Sequence, residues 1–181
     1  MLRYTERQSS KRIAYFRSLR KIIQSSGSKN LVYVDESGFE VDSYRPYAWS
    51  LRGKKSYGNR KGTKYARTNL IAAKRGKVLL APVLYQGSTT AKWFNHWLKN
   101  ELIHQLNSGS TVIMDNAAFH KKAEIKNILE SSGHQALFLP PYSPDLNPIE
   151  HDFAIMKKRR AYSKTGTTID EIVKKYGLLL E

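Results

Sequence analysis

Three acidic side chains stand at places suited to chemistry. Asp35 follows the apolar run Leu31-Val32-Tyr33-Val34, Asp115 follows Thr111-Val112-Ile113-Met114, and Glu150 sits at a helix start, Asn147-Pro148-Ile149-Glu150. In open α/β sheets, functional groups cluster at the carboxyl ends of strands. The two aspartates therefore meet if their strands are neighbours, and the glutamate closes the site from its helix. Carboxylates drawn together without paired bases repel one another. A hard divalent cation relieves that repulsion, and magnesium is typically held by carboxylates together with substrate phosphates. Each residue also has an ordinary structural use. A strand-end Asp serves as a turn or cap residue, and Asn147 with Glu150 three positions on is nearly a capping box. Glu36, Asp42, Asp145 and Asp152 are further acids to weigh.

The positioning elements follow from periodicity. Residues 11–24 read as a helix with Ile13, Phe16, Leu19 and Ile23 on one face, stopped by Ser25-Ser26-Gly27-Ser28. Residues 31–34 and 111–114 read as strands buried on both faces, each ending in its aspartate. Between them lie at most a short strand at 47–51, then a hairpin of 68–73 and 77–85 turning at Arg75-Gly76. A helix capped by Thr89 or Thr90 carries Trp93, Phe94, Trp97, Leu98, Leu102 and Leu106, with Gly109 past its end. Trp93 and Trp97 are read as core. A helix at 121–131 and a strand at 136–139 follow, the strand cut off by Pro140-Pro141. In the last helix Asn147 takes the N-cap and Pro148 the first turn. This order gives an α/β chain with a mixed central sheet flanked by helices.

Composition narrows the partners. Thirty-one Lys and Arg against fifteen Asp and Glu leave a net charge of +16. Residues 52–67 hold seven basic side chains and no acid: Arg52, Lys54, Lys55, Arg60, Lys61, Lys64 and Arg67. A second cluster is Lys157-Lys158-Arg159-Arg160, and a third spans residues 3–21. Such concentrated charge attracts phosphate backbones. Composition alone leaves solvated faces, a ribosome-like RNA binder and a DNA binder open. No apolar run is long enough to cross a bilayer, and a secretory leader is not expected from the opening residues. The absence of cysteine excludes disulfides, zinc-thiolate sites and a cysteine nucleophile.

Three motifs narrow the choice. Val34-Asp35-Glu36-Ser37-Gly38-Phe39, Met114-Asp115-Asn116-Ala117-Ala118-Phe119-His120 and Ser143-Pro144-Asp145-Leu146-Asn147-Pro148-Ile149-Glu150 occur in order. Thirty-four residues separate Asp115 from Glu150. Together they resemble the catalytic motifs of Asp-Asp-Glu (DDE) transposases of the mariner-like superfamily, closest to the bacterial insertion-sequence branch. Ala48-Trp49-Ser50-Leu51-Arg52-Gly53 resembles a segment found between that family's first two strands.

The resemblance implies a ribonuclease H-like fold with a sheet of about five strands, and metal-dependent DNA cleavage and strand transfer at element ends. Asp35, Asp115 and Glu150 would be catalytic and hold two divalent ions, magnesium or manganese. Asn116 and His120 would support them, orienting a ligand or contacting a phosphate, unless they simply cap a helix. Arg52, Lys54, Lys55, Arg60, Lys61, Lys64, Lys157 and Lys158 are the candidate DNA contacts. His151 points away from the face of Glu150. The expected organisation is a lead-in helix at 1–28, the catalytic domain at 29–165 and a helical tail at 166–181. A helix-turn-helix recognition domain is not expected, so the chain reads as a catalytic half. The implied partners are double-stranded DNA, a second copy on that DNA and a separately encoded N-terminal recognition half, in a bacterial cytoplasm at the nucleoid. Two other readings stand beside this one: a catalytically silent nucleic-acid-binding remnant, and a ribonuclease H-like nuclease acting on RNA–DNA hybrids.

Overall fold

The computed structural model describes residues 8–40, 48–58, 67–164 and 166–178. Five strands form one sheet in the order β3-β2-β1-β4-β5. They are β1 (Leu31–Glu40), β2 (Arg67–Arg75), β3 (Val78–Gln86), β4 (Thr111–Met114) and β5 (Gln135–Phe138). β1, β2 and β3 pair antiparallel, whereas β1, β4 and β5 run parallel. The expected mixed sheet is therefore present, and the hairpin turns at Gly76, whose φ of 59° suits glycine.

Helices cover both faces. Odd and even residues of a strand point oppositely, and the core divides accordingly. Val32, Val34, Ile71, Ala73, Val112 and Met114 face one layer, against Phe94, Trp97, Leu98, Leu102, Ile125 and Leu129. That layer is α2 (Ala91–Trp97), its continuation to residue 105 and α3 (Lys122–Ser131). The sequence reads one regular helix here. After α2 the chain instead takes a wider π-helical turn at Leu98–Leu102 and ends in a 3-10 turn at Ile103–Gln105. Thr90 caps α2 as expected, accepting from Trp93 N. Trp97 is fully buried and donates from Nε1 to Ala81 O at 3.0 Å. Ala81 lies at a bulge opposite Ala72, with φ of 46°, and its N–H goes to Gln105 Oε1.

The opposite face carries Leu31 and Ile113 under α1 (Ser9–Ser26), and Phe39, Leu70 and Ala72 under α4 (Ile149–Tyr162) and α5 (Ile169–Leu178). In α5, Ile169, Ile172, Val173 and Tyr176 are buried, so the C-terminal tail docks on the core. Phe153 is buried in the same cluster.

Two further expectations, on α1 and on β1, need correction. α1 buries Arg12 and Tyr15 and packs Leu19 and Ile22, leaving Ile13, Phe16 and Ile23 exposed. Residues 48–51, where at most a short strand is expected, form none, and Tyr47 lies outside the described residues. Nor does β1 stop at Asp35. Pairing with β2 carries it through Glu36, Ser37 and Gly38 to Glu40, polar positions that read as loop in sequence.

Candidate active site

Strand register brings the two aspartates together. Leu31, Val32 and Tyr33 pair in parallel with Thr111, Val112 and Ile113. Carried two residues further, the same register sets Asp35 beside Asp115, with strands roughly 4.8 Å apart. β4 has ended by then while β1 continues, so a cleft opens between them. Both aspartates share the odd-numbered face with Leu31 and Ile113, the face that α4 covers, and α4 brings Glu150 in its first turn. All three carboxylates line one cavity of about 610 Å³, with Asn116, Asn147, Pro141 and Tyr142 among its other walls.

Asn147 does not cap the helix. The N-cap position falls on Pro148, without a side-chain bond. Buried Asn147 instead donates from Nδ2 to Val34 O at 3.2 Å, tying the turn before Glu150 to the strand residue before Asp35. Asn116 donates from Nδ2 to Leu139 O, bracing the segment after Asp115 against the end of β5. Arg12 grips Asp145 with both terminal nitrogens, at 3.0 and 2.8 Å, and so fixes the same turn to α1.

The electrostatics separate the acids. Burial, then the charges of Glu150 and Glu36, push Asp35 up to about 8, although Glu36 N–H donates to its Oδ1 at 2.9 Å. Glu150 is raised as well, by desolvation first and by Asp115, while Lys157 opposes. Asp115 moves the other way. Burial works against its charge, but His120 Nδ1 at 3.1 Å and Ala117 N–H at 2.9 Å outweigh it and lower the carboxyl. His120 is buried beside Phe94 and Phe119. Burial lowers it, yet its bond to Asp115 and the nearby Glu36 carboxylate push it to about 9. Glu36 Oε1 lies 3.7 Å from His120 Nε2, too long for a hydrogen bond, so that contact is an ion pair alone.

The donor set fits a hard divalent cation. Its atoms are carboxylate oxygens, Asp35 is driven towards its protonated form by burial and then by like charges, and the buried Asn116 Oδ1 has no hydrogen-bond partner. Among the described residues, no three His, Asp or Glu side chains are yet gathered tightly enough to hold a metal. Glu150 is exposed, in the first turn of α4.

Other candidates fall elsewhere. Asp152 is buried and bound by Lys74 and Tyr176, and Asp145 is taken by Arg12. His151 is exposed. Lys157 lies 5.9 Å over the Phe39 ring and acts on Glu150, and Lys158 is exposed on the same helix. Arg52, Lys54 and Lys55 are exposed in an irregular segment with Trp49 and Tyr57, and none of them lines the acid cavity. Arg60, Lys61, Lys64 and Asp42 lie outside the described residues. Sequence reasoning gave Glu36 no role. Alternation was the available signal, since it turns Glu36 to the His120 side whenever Asp35 faces the cleft.

A family model described as DDE superfamily endonuclease matches residues 30–173, most of the chain. The chain belongs to the DDE superfamily of endonucleases. Solved structures agree on the fold of this DDE domain. The Mos1 mariner paired end complex with Mg superposes with a TM-score of 0.77 at 18% identity, over 99% of this chain and 57% of that one. The Mos1 strand transfer complex gives 0.73 at 20% identity, over 97% and 56%. The Mos1 catalytic domain alone gives 0.62 at 19%, over 97% and 82%. At such identities the likeness establishes the ribonuclease H-like fold. The DDE chain spans just over half the length of the Mos1 chains in those two complexes. No curated protein matches it in sequence. Among the described residues no helix is long and apolar enough to cross a membrane.

Proposed function

We propose that this chain is the catalytic domain of a DDE transposase of the bacterial insertion-sequence type, cutting DNA at element ends and joining the freed ends to target DNA. The observation that carries the reading is the single cavity lined by Asp35, Asp115 and Glu150. Those three would hold two magnesium or manganese ions, which when bound activate the attacking oxygen and stabilise the leaving one. Relatives solved with Mg and with Mn support that choice of metal.

The chain's own residues divide the work. His120 keeps Asp115 ionised and oriented, so one carboxylate is always ready. Asp35 holds a proton near neutral pH and surrenders it as the site fills, so loading releases protons. Asn116 and Asn147 hold the strand ends and the α4 start in fixed relation. Lys157 and Lys158 lie along α4 beyond Glu150, suited to the DNA backbone. Arg52, Lys54 and Lys55 form an exposed basic arm, and with Arg60, Lys61 and Lys64 they extend the proposed DNA contacts. Residues 29–165 form the catalytic unit in this reading, flanked by the lead-in and tail helices. The partners are double-stranded DNA, a second copy and a separately encoded recognition half, at the nucleoid.

The test is a strand-transfer assay on oligonucleotide element ends with magnesium or manganese, comparing wild type with Asp115→Ala. Metal-dependent cleavage is expected in the wild type, if necessary after the N-terminal half is added, and none in the variant. Cleavage that survives Asp115→Ala would remove Asp115 from the site.

A further inference from the structure

A second cavity lies across β1 from the acids, at the uncovered end of the other sheet face. Its volume is about 580 Å³, within the range of about 300–1,000 Å³ common for ligand clefts. Glu36, Arg67, Asn69, Tyr85, Ser88 and Thr89 line it. Register explains the space. Gly38 pairs with Asn69, and Asn69 with Tyr85, so these three form one row across the sheet. Gly38 leaves a gap in that row, and the Arg67 guanidinium lies across it. A methyl group on Gly38 would overlap Arg67 Nε and Cζ, so any other residue evicts the guanidinium. Among the described residues Arg67 has no ion-pair partner within reach.

The other walls suit a nucleotide. Tyr85 is backed by Trp93, ring centroids 4.1 Å apart, and its hydroxyl is bonded to Thr89. Asn69 fixes the rim by donating to Gly87 O at 2.7 Å. Glu36 opposes an anion, but its charge is partly offset by His120. A lone arginine beside a braced aromatic ring and hydroxyls is the chemistry that grips a single strand: phosphate on the cation, base against the ring. The cavity is too small for a duplex.

We propose that this cavity is a subsite for a single-stranded DNA segment flanking the cleavage point, with Arg67 holding a phosphate over Gly38 and Tyr85 meeting a base. The proposal rests on the transposase reading but is tested without it, because binding is measured in chelator. The probes are a blunt DNA duplex and the same duplex with a short single-stranded overhang. Wild type is expected to prefer the overhang. Arg67→Ala loses that preference, weakening overhang binding about fivefold and lowering its salt slope by about 1, with blunt binding nearly unchanged. Gly38→Ala reproduces the loss. Lys126→Ala, which removes an exposed charge on α3, does not. Should Gly38→Ala fail to fold, the exposed Arg67 side chain still decides the matter. Equal wild-type affinity for both probes overturns the proposal, as does an equal loss on both with Arg67→Ala. Neither result touches metal-dependent cleavage, which stands or falls on its own assay.

Discussion

Burial and the charges of Glu150, Glu36 and Asp115 hold Asp35 near 8, well above its ordinary 3.8. The folded state therefore binds this proton more tightly than the unfolded chain does, and stability is lost as pH rises from about 4 to 8. In chelator at pH 8, Asp35→Asn removes that strain. It should raise Tm by about 3 °C, roughly 1 kcal/mol for a chain of this size, while abolishing metal-dependent cleavage. A variant no more stable than wild type above pH 7 would show that the carboxylates do not repel as described. His120 has linkage of the same sign over a higher window, although here the charged form is the favoured one. Its folded pKa of about 9 exceeds the usual 6.5, so its contribution is complete below 6.5 and fades as pH climbs through 9. Metal-free melts of His120→Gln should lie below wild type at pH 6 and converge with it by pH 10. A constant gap across that range would mean packing against Phe94 and Phe119, not charge, is what the imidazole supplies.

At the level of elements, one turn joins α1, β1 and α4. Arg12 and Asp145 lie 133 residues apart, and Asn147 and Val34 are 113 apart, yet both pairs converge on the turn that launches Glu150. The Arg12 pair is bidentate, with Arg12 mostly covered and Asp145 partly open. A double-mutant cycle on Arg12→Ala and Asp145→Ala should give a coupling of about 1 kcal/mol, the upper end for a partly exposed pair. Additive losses would leave α1 no hold on that turn. These same contacts mark where sequence reading stops. Residues 31–34 and 111–114 were legible because doubly buried strands read as unbroken apolar runs. Glu150 was legible because its proline-rich motif is distinctive. The buried face of α1 was not: Ile13, Phe16 and Ile23 make one apolar stripe and Tyr15, Leu19 and Ile22 another, a residue apart. Periodicity alone does not choose between them. Asn147 was misassigned for a similar reason, since an amide that caps a helix in isolation is drawn to a strand carbonyl in the fold. The run of β1 past Asp35 depends on pairing with β2, which no local propensity announces.

For the molecule as a whole, a net charge of +16 and a cleft of three acids pull in opposite directions. In the proposed function the basic surface would gather DNA with little regard to sequence, and salt should weaken that hold steeply. The acids would repel the same phosphates unless divalent ions stand between. Metal binding is thus the property on which the account turns, and it is measurable without DNA, a partner chain or knowledge of the element ends. The direct measurement is a manganese titration followed by electron paramagnetic resonance, on wild type and on Asp35→Asn, Asp115→Asn and Glu150→Gln. The wild type should bind manganese with release of protons near pH 7, and each substitution should weaken binding at least about tenfold. Undiminished affinity in the three folded variants would contradict the claim that these carboxylates form a metal site.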